Sequence, residues 1–156
     1  MKPLPWPYTL PIWRDFYRAV SPDGQRVAQI DSAREAGMGN PTFGLLCVTG
    51  GPHLERCNPS FVWSDDSRYL AVPQFHRFVG RQRLLIIAFA EKRVFASKER
   101  TWYFQPESFT GGQLVVTIEP FRSARSETFQ IPSELATRFT PLQWRDARWP
   151  QSPPEG

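Results

Sequence analysis

The chain contains a copy of part of itself. Ala19-Val20-Ser21-Pro22-Asp23-Gly24-Gln25-Arg26-Val27-Ala28 is matched by Val62-Trp63-Ser64-Asp65-Asp66-Ser67-Arg68-Tyr69-Leu70-Ala71, with Ser21 and Ser64 lying 43 positions apart. Self-similarity at such a period implies stacked supersecondary units, because a single unit cannot bury its own apolar face. Each copy is an apolar segment, a turn and a second apolar segment. In the first, Pro22 presets φ near −65° for the first turn position. Asp23 can bond the backbone ahead, and Gly24 accepts the left-handed conformation that closes a bulged hairpin. Asp65, Asp66 and Ser67 stand at the second turn.

The periodicity continues beyond the turns. Strong strand patterns follow at residues 43–49 and 84–90, and Glu91-Lys92 makes a tight turn into Arg93-Val94-Phe95-Ala96. The middle unit therefore reads as four successive antiparallel strands at residues 61–64, 69–75, 83–90 and 93–97. A third unit reads as strands at 102–105, 113–119 and 127–131 around a Gly111-Gly112 turn. The pattern resembles the blades of WD-repeat and TolB-like β-propellers, in which a serine-proline-aspartate-glycine turn joins the first two strands of a four-stranded meander. The resemblance implies an all-β fold of antiparallel four-stranded meander units, propeller-like, either open or minimally closed.

The organisation expected is one domain over residues 1–156. It divides into a Pro/aromatic arm (1–15), units at 16–58, 59–98 and 99–139, a remnant or capping segment (140–149) and a mobile tail (150–156). Gln143 to Trp149 echoes the start of the middle unit. Three units fall short of the four or more blades with which propellers close, so strand edges need cover from terminal segments or a second copy. Ser32-Ala33-Arg34-Glu35 has capping-box spacing and predicts one helical turn ended by Gly37. Residues 132–138 predict a second short helix with Ser133 as its cap.

Composition agrees with a β protein. There are 12 Phe and 6 Trp, which suit pleated half-buried surfaces, and 16 Pro, which leave little room for long helices. A net charge of +4 and a pI near 9.4 make the surface mildly basic without a nucleic-acid signature. Cys47 and Cys57 alone do not make a disulfide scaffold and fit a reducing compartment. The opening Met1-Lys2-Pro3-Leu4-Pro5-Trp6-Pro7 lacks an apolar signal core, and no stretch approaches the ~18 apolar residues of a membrane helix. The expected location is cytoplasmic.

Catalytic chemistry is not legible. Cys47, His53 and Cys57 have the spacing C-x5-H-x3-C, but no fourth zinc ligand follows and strand packing accounts for both thiols. His76 reads as a loop residue. Asp65 and Asp66 stand where a turn already wants aspartate. Gly50-Gly51-Pro52 and Gly111-Gly112 lack the lysine or helix of a phosphate loop. The expectation is a non-enzyme with no cofactor and no metal.

What remains is binding. Phe75-His76-Arg77-Phe78-Val79-Gly80-Arg81-Gln82-Arg83 interleaves charge with aromatic rings in a loop, which makes Arg77, Phe78, Arg81 and Arg83 candidate partner contacts. Trp6 and Tyr8 in the proline-held arm are a second set, either covering a sheet edge or meeting a partner. The expected role is a non-enzymatic protein-binding module, in its narrower form a bacterial antitoxin or immunity-type inhibitor, with homodimerisation through sheet edges. The alternative is nucleic-acid binding through the same loop. Glu91, Glu99, Glu107 and Glu119 interrupt any continuous positive stripe. A remote third role is an accessory subunit of a larger enzyme.

Overall fold

A computed structural model describes residues 17–35, 42–75, 81–119 and 123–142. Within them the chain forms three successive antiparallel meanders. The first comprises β1 (Tyr17–Val20), β2 (Val27–Glu35), β3 (Thr42–Val48) and β4 (His53–Cys57). The second comprises β5 (Val62–Trp63), β6 (Tyr69–Phe75), β7 (Gln82–Ala88) and β8 (Arg93–Thr101), and the third β9 (Phe104–Thr110), β10 (Gln113–Ile118) and β11 (Arg125–Gln130). A helical turn, α1 (Leu135–Arg138), leads into β12 (Phe139–Pro141), which returns to pair with β8. The first two meanders share one sheet through the pair Cys57 and Gln74, and the third is a separate three-stranded sheet. Among the described residues both sheets are open, with edge strands.

Packing places the second meander in the middle. Leu70, Val72, Leu85 and Ile87 join Ile30, Leu46, Val48 and Leu54 of the first meander in one apolar core. Their alternate neighbours Tyr69, Ala71, Leu84 and Ile86 join Phe104, Leu114, Val116 and Phe129 of the third in another. Side chains alternate across a strand, so a meander covered on both faces must be apolar at nearly every position. This is why β6 is buried throughout and β7 reads Leu84-Leu85-Ile86-Ile87, whereas β10 in the outer layer alternates buried and half-buried residues.

The hairpin turns of the first two meanders correspond bond for bond. Ser21 Oγ donates to Asp23 Oδ1 at 2.6 Å, and Ser64 Oγ donates to Asp66 Oδ1 at 2.7 Å. Each carboxylate then accepts the backbone N–H two residues on, Gln25 or Arg68. Each serine oxygen accepts the N–H five residues on, Arg26 or Tyr69. Gly24 (φ 75°) and Ser67 (φ 64°) occupy the same left-handed position. A non-glycine residue is disfavoured there, but the Ser67 hydroxyl accepts Asp23 N–H at 2.9 Å and so ties the two turns together. Asp65 continues the chain of contacts: its N–H donates to Phe109 O at 2.9 Å, and its Oδ2 accepts Gly111 N–H at 3.2 Å from the β9–β10 turn. One column of turns thus fastens all three layers at one end of the molecule, called here the turn end.

Several expectations need correction. The residues expected to form a capped helical turn, Ser32 to Glu35, belong to β2, where Arg34 pairs with Phe43 and Glu35 with Thr42 across an irregularity in the ladder. Sheet pairing overrides the local capping pattern. The later helix covers only Leu135–Arg138, and Ser133 does not cap it. In the third meander the strand expected at 102–105 is β9, at Phe104–Thr110. The middle strands start and end within two residues of their expected bounds, except that β8 runs on to Thr101.

Candidate contact surface at the loop end

Opposite the turn end lie the β2–β3, β6–β7 and β10–β11 connections, one from each meander, together with the β4–β5 and β8–β9 links. Cross-strand register shows what gathers there. Cys57, Gln74, Arg83 and Arg100 form one row through β4, β6, β7 and β8. Paired residues in a row point to the same side of the sheet, here the side that lower down forms the core shared with the first meander. Along this row Cys57 and Gln74 are buried, Arg83 is half-buried and Arg100 is exposed. Apolar core therefore turns into cationic surface within one row.

Immediately beyond the ends of β7 and β8, two positions from Arg83 and Arg100, Arg81 and Trp102 meet. Trp102 is 51% exposed. The Arg81 guanidinium lies over its ring, 5.5 Å from the centroid. Arg81 and Trp102, stacked just beyond the ends of β7 and β8, thus extend the cross-strand pair Arg83 and Arg100 into a block of four side chains. Arg83 is held in place: its Nε donates to Gln74 Oε1 at 2.9 Å, and Gln74 Nε2 donates to Glu55 O at 2.8 Å. Arg56, on β4 beside the row, donates through Nε to Phe75 O at 3.4 Å and pairs with Glu55 at 3.3 Å. Among the described residues no carboxylate pairs with Arg81 or Arg100.

The register depends on an interruption. Leu85 pairs with Ala96 but Arg83 pairs with Arg100, so Ser97, Lys98 and Glu99 lie opposite Leu84 alone. Ser97 Oγ accepts the Leu84 N–H at 2.8 Å and donates to Glu99 O at 2.7 Å, which satisfies the backbone groups that the ladder leaves out. The other face of the same strands is different in kind. Gln82 and Thr101 point towards the third meander, where Gln82 Oε1 accepts Phe104 N–H at 2.9 Å and Thr101 donates to Glu119 at 2.7 Å.

Of the contacts expected from sequence, Arg81 and Arg83 come together in this block. Arg83 is a strand residue rather than a solvated loop residue. Arg77, Phe78, Trp6 and Tyr8 lie outside the described residues, as does His76. Arg100 and Trp102 were not legible as neighbours of Arg81 and Arg83, because only the register brings them together. Cys47 and His53 pair across β3 and β4 on the outer face, while Cys57 is buried in the core. Burial pushes the Cys57 thiol far up, against the opposing charges of Arg56 and Arg83. Burial and the Asp31 charge also raise Cys47. Neither is an activated thiolate. Among the described residues no group of three or more His, Cys, Asp or Glu is placed to hold a metal, and no helix is long and apolar enough to cross a membrane.

No family model, curated protein or solved structure matches the chain.

Proposed function

We propose that the protein is a non-enzymatic binding module that meets a protein partner through the block Arg81, Arg83, Arg100 and Trp102. The observation that carries this reading is an exposed tryptophan set among arginines that the fold has already oriented. Arg and Trp are the side chains that dominate interface energetics, and prior orientation removes part of the entropy cost of binding. The rigid three-layer scaffold supports it, since function tends to sit on connections held by regular elements. An immunity-type inhibitor of the cytoplasm is the narrower form of the proposal, in which the partner would itself be an enzyme. Oligonucleotide binding is the second reading, favoured by the same pairing of cations with an exposed ring.

The test is affinity capture from the source cell with the wild-type chain as bait, followed by titration of the identified partner against Arg81→Ala/Trp102→Ala. Both side chains are exposed, so the variant should keep its stability within ~0.5 kcal/mol. Affinity should fall by at least ~2 kcal/mol, about thirtyfold in Kd. Undiminished affinity would remove the block from the interface.

A further inference from the structure

We infer that β1 is a self-pairing edge: two copies of the chain join antiparallel along β1, about a two-fold axis at Ala19, and continue one sheet across both molecules. Backbone groups along a strand point alternately to either side. Ser21 N–H donates to Arg26 O at 2.8 Å, so Ser21 and, two residues back, Ala19 face β2. Val27 O accepts Thr49 N–H at 3.0 Å on the far side of β2, so Val27 is turned away from its partner Val20. Arg18 and Val20 therefore present their N–H and C=O groups to the open side of β1. Among the described residues nothing is hydrogen-bonded to them there. Other edges are guarded. β12 lies along β8 and ends at Pro141, which has no N–H to offer. β11 is capped by Arg138 and Glu134, while β9 gives its Phe104 N–H to Gln82 and its Phe109 carbonyl to Asp65. An edge left without such devices is a template for another strand.

Register and charge select a second copy as the occupant. With Ala19 opposite Ala19 across the axis, Arg18 of each copy pairs with Val20 of the other, and every outward group of these residues finds its partner. Arg18 and Val20 are exposed on the outer face, whereas Ala19 packs against the core shared with the second meander. A two-fold axis perpendicular to the sheet keeps the outer faces of both copies on one side. Val20, 37% exposed, is then covered by the aliphatic stem of the opposite Arg18. The small Ala19 side chains meet in the non-hydrogen-bonded pair, where strands come closest. Trp63 Nε1 donates to Ala19 O at 3.2 Å and holds β1 against the middle layer. Neighbouring registers are worse. An axis at Arg18 sets like charges directly opposite, and an axis at Val20 sets Arg18 against Pro22, which has no N–H to return.

Sedimentation velocity of the full chain over a concentration series should show a reversible monomer–dimer equilibrium. Val20→Lys sets a lysine against Arg18 of the other copy and should weaken the dimer at least about tenfold. Adding Arg18→Glu to it opposes unlike charges and should restore the dimer, a recovery that a misfolded chain would not give. Val20→Pro removes only an N–H that the fold leaves unused, so it should abolish the dimer while the circular dichroism spectrum stays that of wild type. A chain monomeric throughout the series would overturn the inference. A dimer indifferent to both Val20→Lys and Val20→Pro would do so too, by placing the contact on another surface. A dimer weakened by Val20→Lys and not recovered by Arg18→Glu would refute the pairing about Ala19.

Discussion

Single side chains decide how the layers are held. Asp23 and Asp66 do the same work in two turns, each accepting a serine hydroxyl and a backbone N–H. At Asp23 the Ser21 hydroxyl is the largest cause of a carboxyl held below its ordinary value, helped by the Gln25 N–H. At Asp66 burial pulls upward, but the Ser64 hydroxyl, the Arg68 N–H and the Arg68 charge together outweigh it, and the carboxyl is again lowered. A carboxyl with a depressed folded pKa adds stability above its unfolded value, here near 3.8, and loses that contribution as pH falls through the folded value. The melting temperature of wild type should therefore fall steeply below about pH 4. In Asp23→Asn/Asp66→Asn it should start lower at neutral pH and decline less over the same interval. Parallel acid limbs for the two proteins would show that these turns contribute nothing to acid sensitivity. The aspartates were legible as turn residues. The bond from Ser67 to the neighbouring turn was not, because it spans 44 positions and depends on how two layers stack.

At the scale of elements, two of the strand edges expected of an open sheet are covered in part. β12 pairs along β8 through Phe139, Thr140 and Pro141. The free edge of β11 is closed by the segment that follows it: Arg138 donates to Thr128 O at 3.3 Å, and Glu134 accepts Gln130 N–H at 2.6 Å. Side-chain capping of this kind removes the groups that another strand would pair with. Arg138 also pairs with Glu127 at 2.7 Å and lies over the Phe129 ring. Replacing Arg138 and Glu134 together by Ala should uncap β11 and make the protein self-associate as concentration rises, measured by light scattering beside a wild type that does so less. Equal association of both would mean the edge is not what the two side chains protect. Turn residues and apolar runs made the strands themselves readable. The helical turn expected at Ser32 to Glu35 failed because a four-residue pattern competes poorly with a β2–β3 ladder. The contact block was half readable. Counting back from the pair Ala88 and Arg93 without interruption sets Arg83 against Lys98, and only the two extra residues on β8 bring Arg100 and Trp102 into place.

The whole molecule is organised around its middle layer. The second meander supplies one wall of each apolar core, and its loop-end row carries Arg83 and Arg100 of the proposed contact block. Residues such as Leu85 and Ile86, adjacent in sequence and each fully buried, serve different cores. The outer layers bury one face each, and their edges β1 and β11 have a strand on one side only. Stability in such an arrangement is graded, with edge strands opening at lower cost than the doubly covered centre. Native-state hydrogen exchange tests this directly. The slowest amides should be those of β6 and β7, from Leu70 to Val72 and from Leu84 to Ile87, exchanging only through global unfolding, while β1 and β11 exchange through smaller openings. Slowest exchange in β2–β3 or β10–β11, with β6 and β7 opening as easily as the edges, would contradict a central meander buried on both faces.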